Sequence, residues 1–201
     1  MENFLEPTSY IDCDAPSVKE KAQSIIQEIT GQRDKAIKIF YAVRDGIKYT
    51  IYGKRSLPEH FRASFILSAG EGYCVQKAVL LVALARAASI PARLRLAAIR
   101  SHLVPKKMLE KRGTNLFPCH GYADLYIEGS WVKVTPTFDL KSCVDAGLRP
   151  VDFDGEHDAL LPSTTLDGRP HIEYVEDRGF FEEVPFDAIM KASLRHKYVN
   201  C

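Results

Sequence analysis

The sequence predicts an α+β fold, with helices first and antiparallel strands after. Three observations carry this. Apolar residues recur at helical spacing up to Ala88. From Ala92 to Thr135 the pattern changes to strands, two of them joined by a tight hairpin at Glu128-Gly129-Ser130. Between these halves, Cys74 to Ala88 is apolar almost all round, so this helix must be buried against the sheet.

The elements follow in order. Ser17-Val18-Lys19-Glu20 has the form of a capping box, opening a helix to about Ile29 that Thr30-Gly31 ends. Asp34 to Arg44 places Ala36, Ile37, Ile39, Phe40, Ala42 and Val43 at helical spacing, and Gly46 stops it. Ile47 to Tyr52 alternates like a short strand. Phe61 to Leu67 is a short helix before the turn at Gly70 and Gly72. After the buried helix, Ser89-Ile90-Pro91 is a stop signal, and Ala92 to Ile99 is a strand with arginines on one face. Val104 to Arg112 reads as a helical excursion. Gly121 to Ile127 and Trp131 to Thr135 form the hairpin, and Pro136, which has no N–H to donate, ends the pairing. Beyond Asp139 lie short segments (150–154, 160–166, 171–175) and a last helix over Phe186 to His196. The expectation is one domain over residues 1–201, with a core at about 35–140 and a C-terminal elaboration at 141–201.

Composition narrows the function classes. The chain has 201 residues, 46% hydrophobic and 26% charged, with 27 basic and 26 acidic side chains for a net charge of +1. That balance argues against nucleic acid or an anionic membrane surface as partner. No apolar run reaches the roughly 20 residues that span a bilayer. The first residues lack a basic segment followed by an apolar one, so a cytoplasmic location is expected. The five cysteines, Cys13, Cys74, Cys119, Cys143 and Cys201, are irregularly spaced and include no C-x-x-C pair. His60, His102, His120, His157, His171 and His196 show no ligand spacing, and Gly70-Glu71-Gly72 lacks the Lys-Ser/Thr ending of a phosphate loop. Neither a metal nor a cofactor is expected.

One cysteine stands apart. Cys74 follows a glycine turn and opens the buried helix. A helix N-terminus carries partial positive charge and outward N–H groups, which stabilise a thiolate and can bind the oxyanion of a tetrahedral intermediate. His120, on a later strand, has the chemistry of a general base and acid. Cys119 points to the opposite face of that strand and is read as core. Asp139, just past the hairpin, is the candidate carboxylate to orient the imidazole, although it could equally cap a helix from Leu140. Asp124 shares the His120 face but lies about 13–14 Å along the strand at ~3.3 Å per residue, too far for direct contact.

Gly72-Tyr73-Cys74, the run Ala83 to Arg93, His120-Gly121-Tyr122-Ala123-Asp124-Leu125-Tyr126 and Trp131 to Thr137 together resemble the transglutaminase-like superfamily of bacterial type, whose fold is related to papain-like cysteine proteases. The resemblance covers about Tyr41 to Asp139. It implies a Cys-His-Asp enzyme that needs no metal, with Cys74 as nucleophile and His120 as base. The sequence departs from the family at one position. Where the family usually has Asp before Pro-Thr or Ser-Thr, this chain has Thr135 in Thr135-Pro136-Thr137. Either Thr135 orients His120 without charge, or Asp139 supplies the carboxylate.

The resemblance implies acyl transfer through a thioester on the cysteine. Water as acceptor gives amide or peptide hydrolysis; an amine gives cross-linking or amide transfer. The expected activity is that of a cysteine hydrolase or acyltransferase acting on a peptide, protein or small amide or acyl substrate. The alternatives are an inactive peptide-binding module on the same fold, or an acyltransferase in small-molecule biosynthesis.

Overall fold

The computed structural model describes residues 2–195. His196 and Cys201 lie outside the described residues. The helices are α1 (Pro16–Ile26), α2 (Gln32–Gly46), α3 (Ala63–Ala69), α4 (Cys74–Ala87), α5 (Lys106–Arg112), α6 (Leu140–Ala146) and α7 (Phe186–Arg195). The strands are β1 (Lys48–Tyr49), β2 (Glu71–Gly72), β3 (Ala92–Ser101), β4 (Leu116–Ile127), β5 (Ser130–Val134) and β6 (Ile172–Phe181). Antiparallel pairing gives a sheet of order β5-β4-β3-β6. The fold is α+β, as expected, with the buried helix α4 packed on the sheet and enclosed by α1, α2 and α3.

Three local expectations are corrected. The Ser17 capping box does not form: α1 already begins at Pro16, with Ala15 in the cap position and no side-chain hydrogen bond there. Proline suits that first position, because its missing N–H would have had no helical partner. The helix then ends at Ile26, ahead of Glu28, which adopts a left-handed φ of 66°. Ile47 to Tyr52 contracts to β1, which pairs in parallel with β2 (Lys48 opposite Glu71, Tyr49 opposite Gly72). That pair fixes the entry into α4. The segment expected at His171–Val175 is the start of a ten-residue strand, β6, on the free edge of β3. Its side chains are mostly exposed, so it lacks the apolar alternation that marks a half-buried strand.

Helix α4 is as enclosed as its composition requires, and it carries two buried cations as well. Lys77 Nζ donates to the carbonyls of Arg44 (2.8 Å) and Ile47 (2.7 Å), at the C-terminal end of α2. Arg86 donates to the carbonyls of Ala92, Glu6 and Glu182, tying the chain's start and the β6–α7 turn to the core. Both cations are themselves buried, and the backbone oxygens offset the cost of burying them. Among the described residues no helix is long and apolar enough to cross a membrane.

Strand β4 crosses the N-terminus of α4 at very short range. A Cβ on Gly121 would lie 2.5 Å from Val75 Cα, so only glycine permits this approach. The contact brings the backbone of residues 119–121 against the first turn of α4.

Candidate active site

Cys74 is the first residue of α4, and its side chain is partly buried. Its sulfur lies 4.0 Å from the Cys119 carbonyl oxygen, one residue before His120. The nearby Gly121 and Val75 N–H groups favour its thiolate form. Burial nevertheless dominates: desolvation pushes the thiol up to about 11, against the lowering effect of these two N–H groups. Gln76 supports the turn rather than the chemistry. Its Oε1 accepts from the Tyr73 N–H (3.3 Å), and its Nε2 donates to the Lys54 and His60 carbonyls (2.9 and 2.8 Å).

His120 is almost fully enclosed on β4. Its ring stacks on Tyr122, with centroids 6.1 Å apart, and meets Tyr174 edge-on at 5.7 Å. Nε2 is turned to two hydroxyls, Thr135 Oγ1 at 3.4 Å and Tyr174 Oη at 3.3 Å. Thr135 Oγ1 is in turn 2.8 Å from Thr137 Oγ1. Desolvation pushes the imidazole down to about 3. Thiol and imidazole are therefore both neutral at pH 7: the sign of each shift disfavours its charged form.

Asp139 is not gathered into this group. It caps α6: Oδ1 accepts from the Ser142 N–H (2.8 Å), and Oδ2 accepts from the Ser142 hydroxyl (2.8 Å) and the Tyr49 N–H (2.9 Å). Burial opposes its ionisation, but these donors and the nearby Lys77 hold its carboxyl below the usual range. The expectation that Asp139 orients His120 is thus corrected. The helix-cap alternative describes the geometry, and Thr135 occupies the position beside the imidazole. Tyr49 packs its ring against Phe138, with centroids 4.7 Å apart. Asp124, set aside on distance, pairs with Arg93 (2.8 Å) and Arg95 (3.0 Å).

Tyr174 was not visible as a site residue. It stands on β6 opposite Ile99, and only the pairing of β6 with β3, some 75 positions apart, brings it to His120. Nothing in its local sequence signals that register. Its ring also meets Tyr122 edge-on at 6.2 Å, and Tyr122 Oη accepts from Arg95 Nε (3.1 Å). Among the described residues no three His, Cys, Asp or Glu side chains gather closely enough to hold a metal ion.

Comparison with known proteins agrees with this architecture. No curated protein matches the chain. A solved structure described as a proposed cysteine protease from Cytophaga hutchinsonii matches with a TM-score of 0.52 at 23% identity, over 67% of this chain and 40% of that one. The periplasmic domain of TgpA from Pseudomonas aeruginosa matches with a TM-score of 0.48 at 19% identity, over 67% of this chain and 45% of that one. The matched part thus spans less than half the length of either structure. The family model described as transglutaminase-like superfamily matches residues 19–136, which include Cys74, His120 and Thr135 but not Tyr174. The chain belongs to the transglutaminase-like superfamily.

Proposed function

We propose that the protein is a cysteine-dependent hydrolase of amide or peptide bonds that works through a thioester acyl-enzyme on Cys74. One observation carries this reading: the Cys74 sulfur sits at the N-terminus of α4, against the backbone of the His120 strand. Because Nε2 is turned to hydroxyls, Nδ1 is the nitrogen left to exchange a proton with the thiol. Sulfur attacks the carbonyl carbon as Nδ1 takes the thiol proton. The tetrahedral oxyanion is stabilised by N–H groups of the first turn of α4, that of Cys74 among them. The C–N bond breaks as the imidazolium returns its proton to the leaving amine. Water, deprotonated by the same nitrogen, then cleaves the thioester to the acid and restores the thiol. An amine in place of water would give acyl transfer from the same intermediate, including transfer in small-molecule biosynthesis. The substrate class is a peptide, protein or small amide; the nearly balanced charge favours neither nucleic acid nor membrane.

The test is capture of the intermediate. Incubation with activated acyl donors followed by intact-mass measurement should add one acyl group, mapped to Cys74 and absent in Cys74→Ala. Acylation that persists in a folded Cys74→Ala protein would contradict this reading.

A second reading, a peptide-binding module without turnover, is favoured by a specific feature: His120 Nε2 faces two neutral hydroxyls instead of a carboxylate. It expects saturable peptide binding that survives in Cys74→Ala, with no acylation of the wild type.

A further inference from the structure

We propose that Tyr174 is a positioning residue that sets the tautomer of His120, holding the resting imidazole with its proton on Nδ1. This rests on the reading of Cys74 and His120 as nucleophile and base. Tyr174 Oη already accepts a hydrogen bond from the Leu161 N–H at 3.3 Å. Among the described residues the hydroxyl proton has no acceptor other than His120 Nε2, 3.3 Å away, so donating to Nε2 is what satisfies this buried O–H. An Nε2 that accepts from a phenol is an Nε2 without hydrogen, and in a neutral ring the proton is then on Nδ1.

Thr135 offers the opposite. With its proton directed to Thr137 Oγ1 at 2.8 Å, its oxygen can accept from an Nε2–H at 3.4 Å. Nε2 has one in-plane valence, so it serves one hydroxyl at a time in its proper role. The Tyr174 arrangement leaves Nδ1 protonated and unable to take the Cys74 proton. The Thr135 arrangement frees Nδ1 as the base. The two forms interchange by proton exchange with water, and the two hydroxyls set their ratio. A carboxylate at the Thr135 position would accept only from Nε2–H and would fix the base-competent form outright.

Tyr174 is built to hold this place. Its ring is edge-on to both His120 and Tyr122, and Tyr122 is fixed by Arg95, which pairs with Asp124 and Asp177. It also comes from β6, outside residues 19–136, so the C-terminal strand adds to the site a control that the matched region lacks.

The test reads the ring directly. In the full chain, the 15N shifts of the His120 nitrogens, assigned against His120→Gln, should show Nδ1–H predominating at pH 7. Tyr174→Phe should move the population toward Nε2–H and speed Cys74 alkylation roughly 5-fold, the worth of one ordinary hydrogen bond. Thr135→Val should slow it. A resting ring in the Nε2–H form, or alkylation slowed by Tyr174→Phe as it is by Thr135→Val, would overturn the proposal. The wild-type spectrum decides the matter even if a variant is unstable. It also requires no turnover, so failure to acylate Cys74 would count against the hydrolase reading and leave the tautomer assignment standing.

Discussion

Two polar clusters lie one helical turn apart on α4, and they are built on opposite principles. Around Cys74 and His120 the partners are amide N–H groups and hydroxyls, and burial keeps both titratable groups neutral. Around Lys77 the partners are ionisable side chains: Asp139 and Asp45 are nearby, the Lys77 amine donates to two carbonyls, and Arg44 is tied to Asp45 and Asp152. The second cluster holds α2, β1 and α6 together. The first holds a thiol and an imidazole with no fixed counter-charge. Asp139 has the composition of a catalytic orienter, yet it belongs to the structural cluster. Of the two hydroxyls that face the imidazole, Thr135 stands where the family usually has aspartate, and Tyr174 comes from a position that looks unremarkable.

Substitutions can break this contrast at either end. The largest effect is expected at the sulfur: Cys74→Ala should reduce acyl-enzyme formation by roughly 10³-fold or more, read by intact mass, with little change in the unfolding midpoint. Next is Lys77, whose amine desolvation lowers to about 7 from an unfolded value of 10.5. The unfolded chain therefore binds the proton more tightly between these values, so this group makes stability rise with pH from 7 to 10.5. The amplitude is on the order of 3–5 kcal/mol. Urea unfolding across that window should show the slope in the wild type relative to Lys77→Met; equal pH dependence in the two proteins would refute it.

A smaller effect is expected at the contact between β4 and the first turn of α4. Gly121→Ala places a methyl 2.5 Å from Val75 Cα, so strand and helix must separate. Overpacking of this kind costs about 1–3 kcal/mol and should also slow Cys74 alkylation. Unchanged stability together with unchanged alkylation would mean that the close approach matters little. The smallest effect is expected at Asp139→Ala, which removes the α6 cap at a cost of about 1 kcal/mol. Cys74 acylation should stay within roughly 2-fold of wild type, because the carboxylate touches Ser142 and Tyr49. A large loss of acylation without loss of stability would return Asp139 to the site.

Much of this was legible because it is local. Cys74 stands where a glycine turn meets an apolar helix, and His120 stands on the strand before a tight hairpin; neither inference needs distant residues. The Asp139 cap was also locally readable, since Ser142 is three positions on and an N-cap carboxylate accepts from that N–H. Tyr174 was hidden because its place depends on the register of β6 on β3, which passes through bulges and a mostly exposed strand. Lys77 was hidden for another reason: a single lysine on an apolar helix reads as a side chain reaching solvent, and only the position of the α2 carbonyls turns it inward.

At rest, Cys74 and His120 are a neutral pair, because burial disfavours the charged form of each. The most direct measurement is the pH dependence of Cys74 alkylation by iodoacetamide, with peptide mapping to separate it from Cys13, Cys119, Cys143 and Cys201. The rate should keep rising above pH 9, toward the thiol value of about 11, with a lower midpoint in Thr135→Asp, where a carboxylate would stabilise the imidazolium. Fast, site-selective labelling that is already at its plateau at a pH near or below ~6.5 in the wild type would contradict it, because such a plateau requires a preformed thiolate.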